Sequence, residues 1–132
     1  MTLILYAPSF DEESRQIRSA LEEGTDVSGP EVLEGLDNLA ARLREPVEDP
    51  AIAVLLVRGR TDIQELMSIE WLLKRVRIML VLGEGDPETL SLAHRLRPRY
   101  LGYKDDDAHT IPAVINNMIQ GFIKRTSTQG RR

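Results

Sequence analysis

Apolar residues along the chain fall into two patterns, and the two alternate. Leu3–Tyr6, Ala51–Val57 and Ile78–Leu82 are unbroken apolar runs, which predict strands buried on both faces. Tyr100–Tyr103 is a shorter run of the same kind, and Glu31–Glu34 reads as a weak edge strand. Between them apolar residues recur at spacings of three and four, the period of a helix. Ile17, Ala20 and Leu21 mark a helix from Asp11 to Glu23 that Gly24 stops; Leu36, Leu39, Ala40 and Leu43 mark a second that stops near Pro46. A third is predicted from Asp62, as its cap, to about Arg75, with Ile63, Leu66, Met67, Leu73 and Val76 inward. Asp86-Pro87 opens a fourth, a capping acid before a proline at the first helical position, and Pro98 ends it. Thr110-Ile111-Pro112 opens the fifth. The chain thus reads strand–helix five times over. That order predicts an α/β domain with a parallel sheet covered on both faces and right-handed crossovers.

The length of 132 residues suits one domain, enough to bury about two-thirds of its unfolded surface. We expect it to occupy residues 1–125, with 126–132 a disordered basic tail. The net charge of −4 argues against nucleic acid as a partner. Cysteine is absent, which removes disulfides, thiolate nucleophiles and cysteine metal sites and fits a reducing cytoplasm. The N-terminal apolar run has no basic flank and is too short for a leader or a membrane span, so a cytoplasmic protein without a membrane partner is expected.

Candidate chemistry gathers at the predicted carboxyl ends of the strands. Asp11, Glu12, Glu13, Asp62, Glu84, Asp86, Asp105, Asp106 and Asp107 belong there. They fit a metal site, or caps for the helix N-termini that share this rim. Arg58, Arg60 and Lys104 on the same rim are available to pair with them instead of a metal. Gly83-x-Gly85 lacks the third glycine of a dinucleotide fingerprint and precedes the fourth helix rather than the first. His94 and His109 have no second ligand at metal-binding spacing. Arg95, Arg97 and Arg99 form a basic run at a helix C-terminus, either a solvated end or a contact for an acidic partner. Trp71, the only tryptophan, is expected to be half-buried beside Leu72 and Leu73, in a position open to an interface role.

The arrangement of Arg77–Leu82, Asp86–Leu96, Tyr100–Lys104 and Ile111–Ile123 resembles the last two strand–helix units of response-regulator receiver domains of the chemotaxis-receiver type. The resemblance extends from Thr2 to about Arg125. It implies a three-layer flavodoxin-like (βα)5 fold with a five-stranded parallel sheet of order 2-1-3-4-5. It also implies that Lys104 is the lysine that closes the fifth strand of a receiver, although the proline usual after it is Asp105 here. Receivers carry an acid pair after the first strand, a phosphoacceptor aspartate after the third and a hydroxyl after the fourth. This chain has Ala7-Pro8, Val57-Arg58 and Leu82-Gly83 at those places. An aspartyl nucleophile and an incoming phosphate are both anionic, so the metal held by the acid pair is needed to neutralise the transition state.

The resemblance therefore implies a non-enzymatic pseudo-receiver of the two-component signalling type, with no catalytic, cofactor or metal residues and Lys104 as a remnant. With no output domain expected after the fifth helix, it would act through protein partners or by self-association. The alternative is a flavodoxin-like domain holding a small molecule or nucleotide at the strand ends. An enzyme built on the acidic rim is a third reading, for which no nucleophile–base pair is visible. On the fifth helix Ile111, Ile115, Met118 and Phe122 share one stripe, flanked by Val114 on one side and by Ile119 and Ile123 on the other. That arc is wider than the roughly 100° that one-sided packing requires, so Val114, Met118, Ile119, Phe122 and Ile123 are the candidate interface, a homodimer among its uses.

Overall fold

Parallel strands with no polar alternation must be covered above and below, and the computed structural model shows how this chain does it. Structure is described for residues 1–25, 29–83, 85–104 and 110–130, with side chains as far as Gly121. The strands are β1 (Thr2–Ala7), β2 (Glu31–Glu34), β3 (Ala51–Val57), β4 (Arg77–Leu82) and β5 (Tyr100–Tyr103). They form one all-parallel sheet in the order 2-1-3-4-5. The helices are α1 (Glu12–Gly24), α2 (Leu36–Leu43), α3 (Arg60–Met67), α4 (Glu70–Leu73), α5 (Pro87–Arg95) and α6 (Thr110–Gly130). This is the flavodoxin-like three-layer fold expected above.

Successive strand residues point to opposite faces, so each apolar run feeds two cores. Ile4, Tyr6, Ala53, Leu55, Leu80 and Leu82 face α2, α3, α4 and α5. Leu3, Leu5, Ile52, Val54, Met79 and Val81 face α1 and α6, where Ile17, Leu21, Ile111 and Ile115 meet them. Central β3 is buried along almost its whole length, whereas edge strand β2 is only half-buried and ends in exposed glutamates.

Three expectations need correction. The long third helix is two: α3 ends at Met67 and α4 begins at Glu70. The Ser68 hydroxyl donates to the Glu65 carbonyl, a local bond that competes with helix continuation, and Ile69 leaves the helical region at φ −116°. Trp71, on α4, is 62% exposed rather than half-buried. Asp62 is not at the N-cap position, which is Gly59; it sits in the first turn. The last helix, α6, runs from Thr110 to Gly130. No helix among the described residues is long and apolar enough to cross a membrane.

Candidate functional site: the carboxyl ends of the strands

Strand register decides what the rim contains. Val57 lies opposite Leu82, and Leu82 opposite Tyr103. The ladder runs one step further, with the Gly83 N–H donating to the Val57 carbonyl at 2.8 Å and that of Lys104 to the Leu82 carbonyl at 2.9 Å. Arg58, Gly83 and Lys104 therefore emerge side by side. With Ala7, Pro8 and the start of α1 they line a cleft of about 290 Å³, at the edge where doubly wound sheets hold ligands.

The charges in and beside this cleft are matched. Asp11 caps α1, accepting from the Ser14 N–H at 3.0 Å and the Ser14 hydroxyl at 2.9 Å. Those bonds hold its carboxyl below the usual value. Asp86 caps α5 through Thr89, and the Thr89 hydroxyl keeps its carboxyl low in the same way. The Lys104 Nζ lies 3.7 Å from Glu13 Oε1, and the Arg60 Nη1 lies 2.7 Å from Glu88 Oε2. Arg58 and Asp62 form the tightest pair. Asp62 accepts from the Arg58 backbone N–H at 2.8 Å, Nε at 2.9 Å and Nη2 at 3.0 Å. Asp62 is only 5% exposed, and burial alone would raise its carboxyl. The Arg58 side-chain and backbone bonds and the guanidinium charge outweigh burial and hold it below its usual value. Next to this pair the buried Tyr6 phenol is pushed up to about 12, by burial first and then by the negative charges of Asp62 and Glu65.

The glycines after β4 have steric reasons. A Cβ on Gly83 would lie 3.0 Å from the Arg58 carbonyl oxygen, and one on Gly85 would lie 2.6 Å from the Tyr103 ring. Both serve close packing of the β4–α5 turn against its neighbours.

Of the residues singled out in the sequence, Asp11, Glu13, Arg58 and Lys104 meet around the cleft, with Asp62, Arg60, Glu88 and Asp86 on the rim beside it. His94 lies in the exposed last turn of α5. Glu84, Asp105, Asp106, Asp107 and His109 lie outside the described residues, as do the side chains of Phe122 and Ile123. Val114, Met118 and Ile119 are partly buried and pack on the core between the sheet, α1 and α6, so part of the apolar arc of α6 serves the domain itself. Pairing of Arg58 with one of the rim acids is expected from the sequence, and the structure selects Asp62 as its partner. The signal for that choice is the i,i+4 spacing of opposite charges across the start of a helix, obscured because Asp62 reads as a cap. No protein-family model matches the chain, and no curated protein matches its sequence.

Proposed function

We propose that the chain is a pseudo-receiver, a signalling module that works by protein–protein contact without aspartyl phosphorylation. The observation that carries this reading is the Arg58–Asp62 pair at the end of the third strand, where a receiver has its acceptor. The residue after Val57 is a cation, and the one buried carboxylate beside it is bound by three donors of that cation. A nucleophilic carboxylate must be open on the side from which phosphate arrives. Asp62 instead has hydrogen bonds to one oxygen from two donors and to the other from a third. Lys104 keeps the position of the receiver lysine but is paired with Glu13, and a lone lysine transfers no phosphoryl group. The partner surface would be the α5–β5–α6 side, including the part of α6 that its own core leaves partly exposed at Met118 and Ile119.

The cleft favours a second reading, a small-molecule-binding flavodoxin-like domain. It is concave, lies at the strand ends and has Ser9 and backbone groups beside it. Incubation with acetyl phosphate or beryllofluoride and Mg²⁺, followed by intact-mass and thermal-midpoint measurements, tests the main reading. We expect no mass adduct and no shift. An acid-labile phosphoryl adduct would overturn it. A thermal shift with flavin or nucleotide, without an adduct, would instead establish the ligand-binding reading.

A further inference from the structure

At the opposite end of the sheet lies a second concavity of about 280 Å³, formed where β3 and β4 begin and where the chain leaves α4 and α5. Lys74, Arg75, Arg77, Arg97 and Arg99 border it, against one carboxylate among the described residues, Asp49. In a chain of net charge −4 this is a local reversal of sign. Helix dipoles explain part of it, because Lys74 and Arg97 follow the ends of α4 and α5, where cations are favoured. They do not explain Arg77, which opens β4, or Arg99, which stands before β5 with its N–H bonded to the Ile78 carbonyl at 2.8 Å.

Pairing separates this cluster from the other rim. There Arg58, Arg60 and Lys104 each meet a carboxylate. Here, among the described residues, no carboxylate pairs with Lys74, Arg97 or Arg99. Arg75 gives an Nη donor to the Leu43 carbonyl, which anchors its guanidinium beside the pocket. Backbone strain is placed here too. Arg97, at φ 54°, is the only non-glycine residue with positive φ among the described residues. It follows the helix C-cap, a position where glycine is the relaxed choice. Strain retained by a residue that borders a cationic concavity is a feature of ligand clamps.

We propose that this pocket binds a compact polyphosphate anion, a ligand with two or more linked phosphoryl groups. Guanidinium forks match phosphoryl oxygens in bidentate geometry, and several forks around one concavity suit linked phosphoryl groups better than one. Among the described residues no aromatic borders the pocket, so they offer neither a stacking platform for a base nor an aromatic anchor for a peptide. Recognition rests on charge, and must weaken as salt rises.

Titration calorimetry with inorganic triphosphate at low salt tests the assignment. One site is expected, with inorganic phosphate bound at least tenfold more weakly. R97Q/R99Q should lose at least tenfold in affinity with the fold unchanged by circular dichroism, because both side chains are exposed. R97G should melt at a higher temperature and still bind more weakly, which separates backbone relief from ligand contact. K104Q, at the other end of the sheet, should bind like the unmodified chain. Absence of triphosphate binding, binding that R97Q/R99Q leaves intact, or a loss caused by K104Q would each overturn the proposal. Tighter binding of a single-stranded oligonucleotide than of triphosphate would overturn it as well, in favour of a nucleic-acid surface. None of these outcomes depends on whether the strand-end rim accepts phosphate.

Discussion

Arg58 and Asp62 stand four residues apart across the junction of β3 and α3, and their pairing occupies both oxygens of the buried Asp62 carboxylate. The pair is asymmetric: the Asp62 side chain is 6% exposed and that of Arg58 72%. Solvent therefore screens one partner while the other depends on its donors. The Asp62 carboxyl titrates below its usual value of 3.8 in the folded chain. Between that lower value and 3.8 the unfolded chain binds more protons than the folded one, so stability rises with pH through this window. The stabilisation from this residue is complete above about pH 5 and disappears as acid protonates the folded form. Asp62→Asn should lower stability at pH 7 by on the order of 1 kcal/mol, a figure kept small because the Arg58 side chain faces water. It should also flatten the acid limb of stability against pH. Urea titrations of both proteins from pH 2.5 to 7 check this. An acid limb of unchanged slope would show that other carboxylates carry it.

At the scale of elements, the break between α3 and α4 shows how packing overrides a helical pattern. On one unbroken helix, at 100° per residue, Leu72 would lie about 180° from Ile63 and face solvent. The interruption at Ser68 and Ile69 turns α4, so that Leu72 and Leu73 are both buried and Trp71 faces out. An isolated four-residue helix has no stability of its own; burial of its two leucines maintains it. Leu72→Ala should cost about 2–5 kcal/mol through the cavity it leaves, whereas Trp71→Ala should stay within about 0.5 kcal/mol. Acrylamide should quench Trp71 fluorescence efficiently in the native protein. Protection from quencher would contradict the exposed placement. The apolar spacing of Ile63, Leu66 and Leu73 is legible in sequence; the break is not, because the demand of Leu72 for burial is a tertiary matter.

Over the whole molecule, the sheet separates two charged ends. One end has its cations paired with carboxylates at the strand termini, and the other gathers cations around β3 and β4. Between them, α6 serves the core through Ile111 and Ile115 and lends Val114, Met118 and Ile119 to its margin. The self-association proposed for this side is open to sedimentation across micromolar concentrations. We expect a reversible dimer that Ile119→Glu converts to a folded monomer, at some cost in stability because Ile119 also touches the core. A monomer at every concentration would remove self-association and leave a foreign partner as the only use of the surface.

Five strands, the helices between them and a parallel sheet are legible from local pattern, because strands buried on both faces and amphipathic helices have distinct periods. The caps at Asp11 and Asp86 are legible for the same reason: a side-chain oxygen and an N–H three residues on form a purely local bond. The departures from a receiver at Ala7-Pro8 and Val57-Arg58 also stand in the sequence, since they concern which residue types are present. Other features were settled only by the fold. Lys104 meets Glu13, and Arg60 meets Glu88, because parallel register and right-handed crossovers bring distant helix starts to one rim. Likewise Lys74, Arg75 and Arg77 join Arg97 and Arg99, from a separate basic run, only once β4 lies beside β3 and β5. Charge pairing depends on distance in space, and sequence spacing reports that distance only within a single turn of helix.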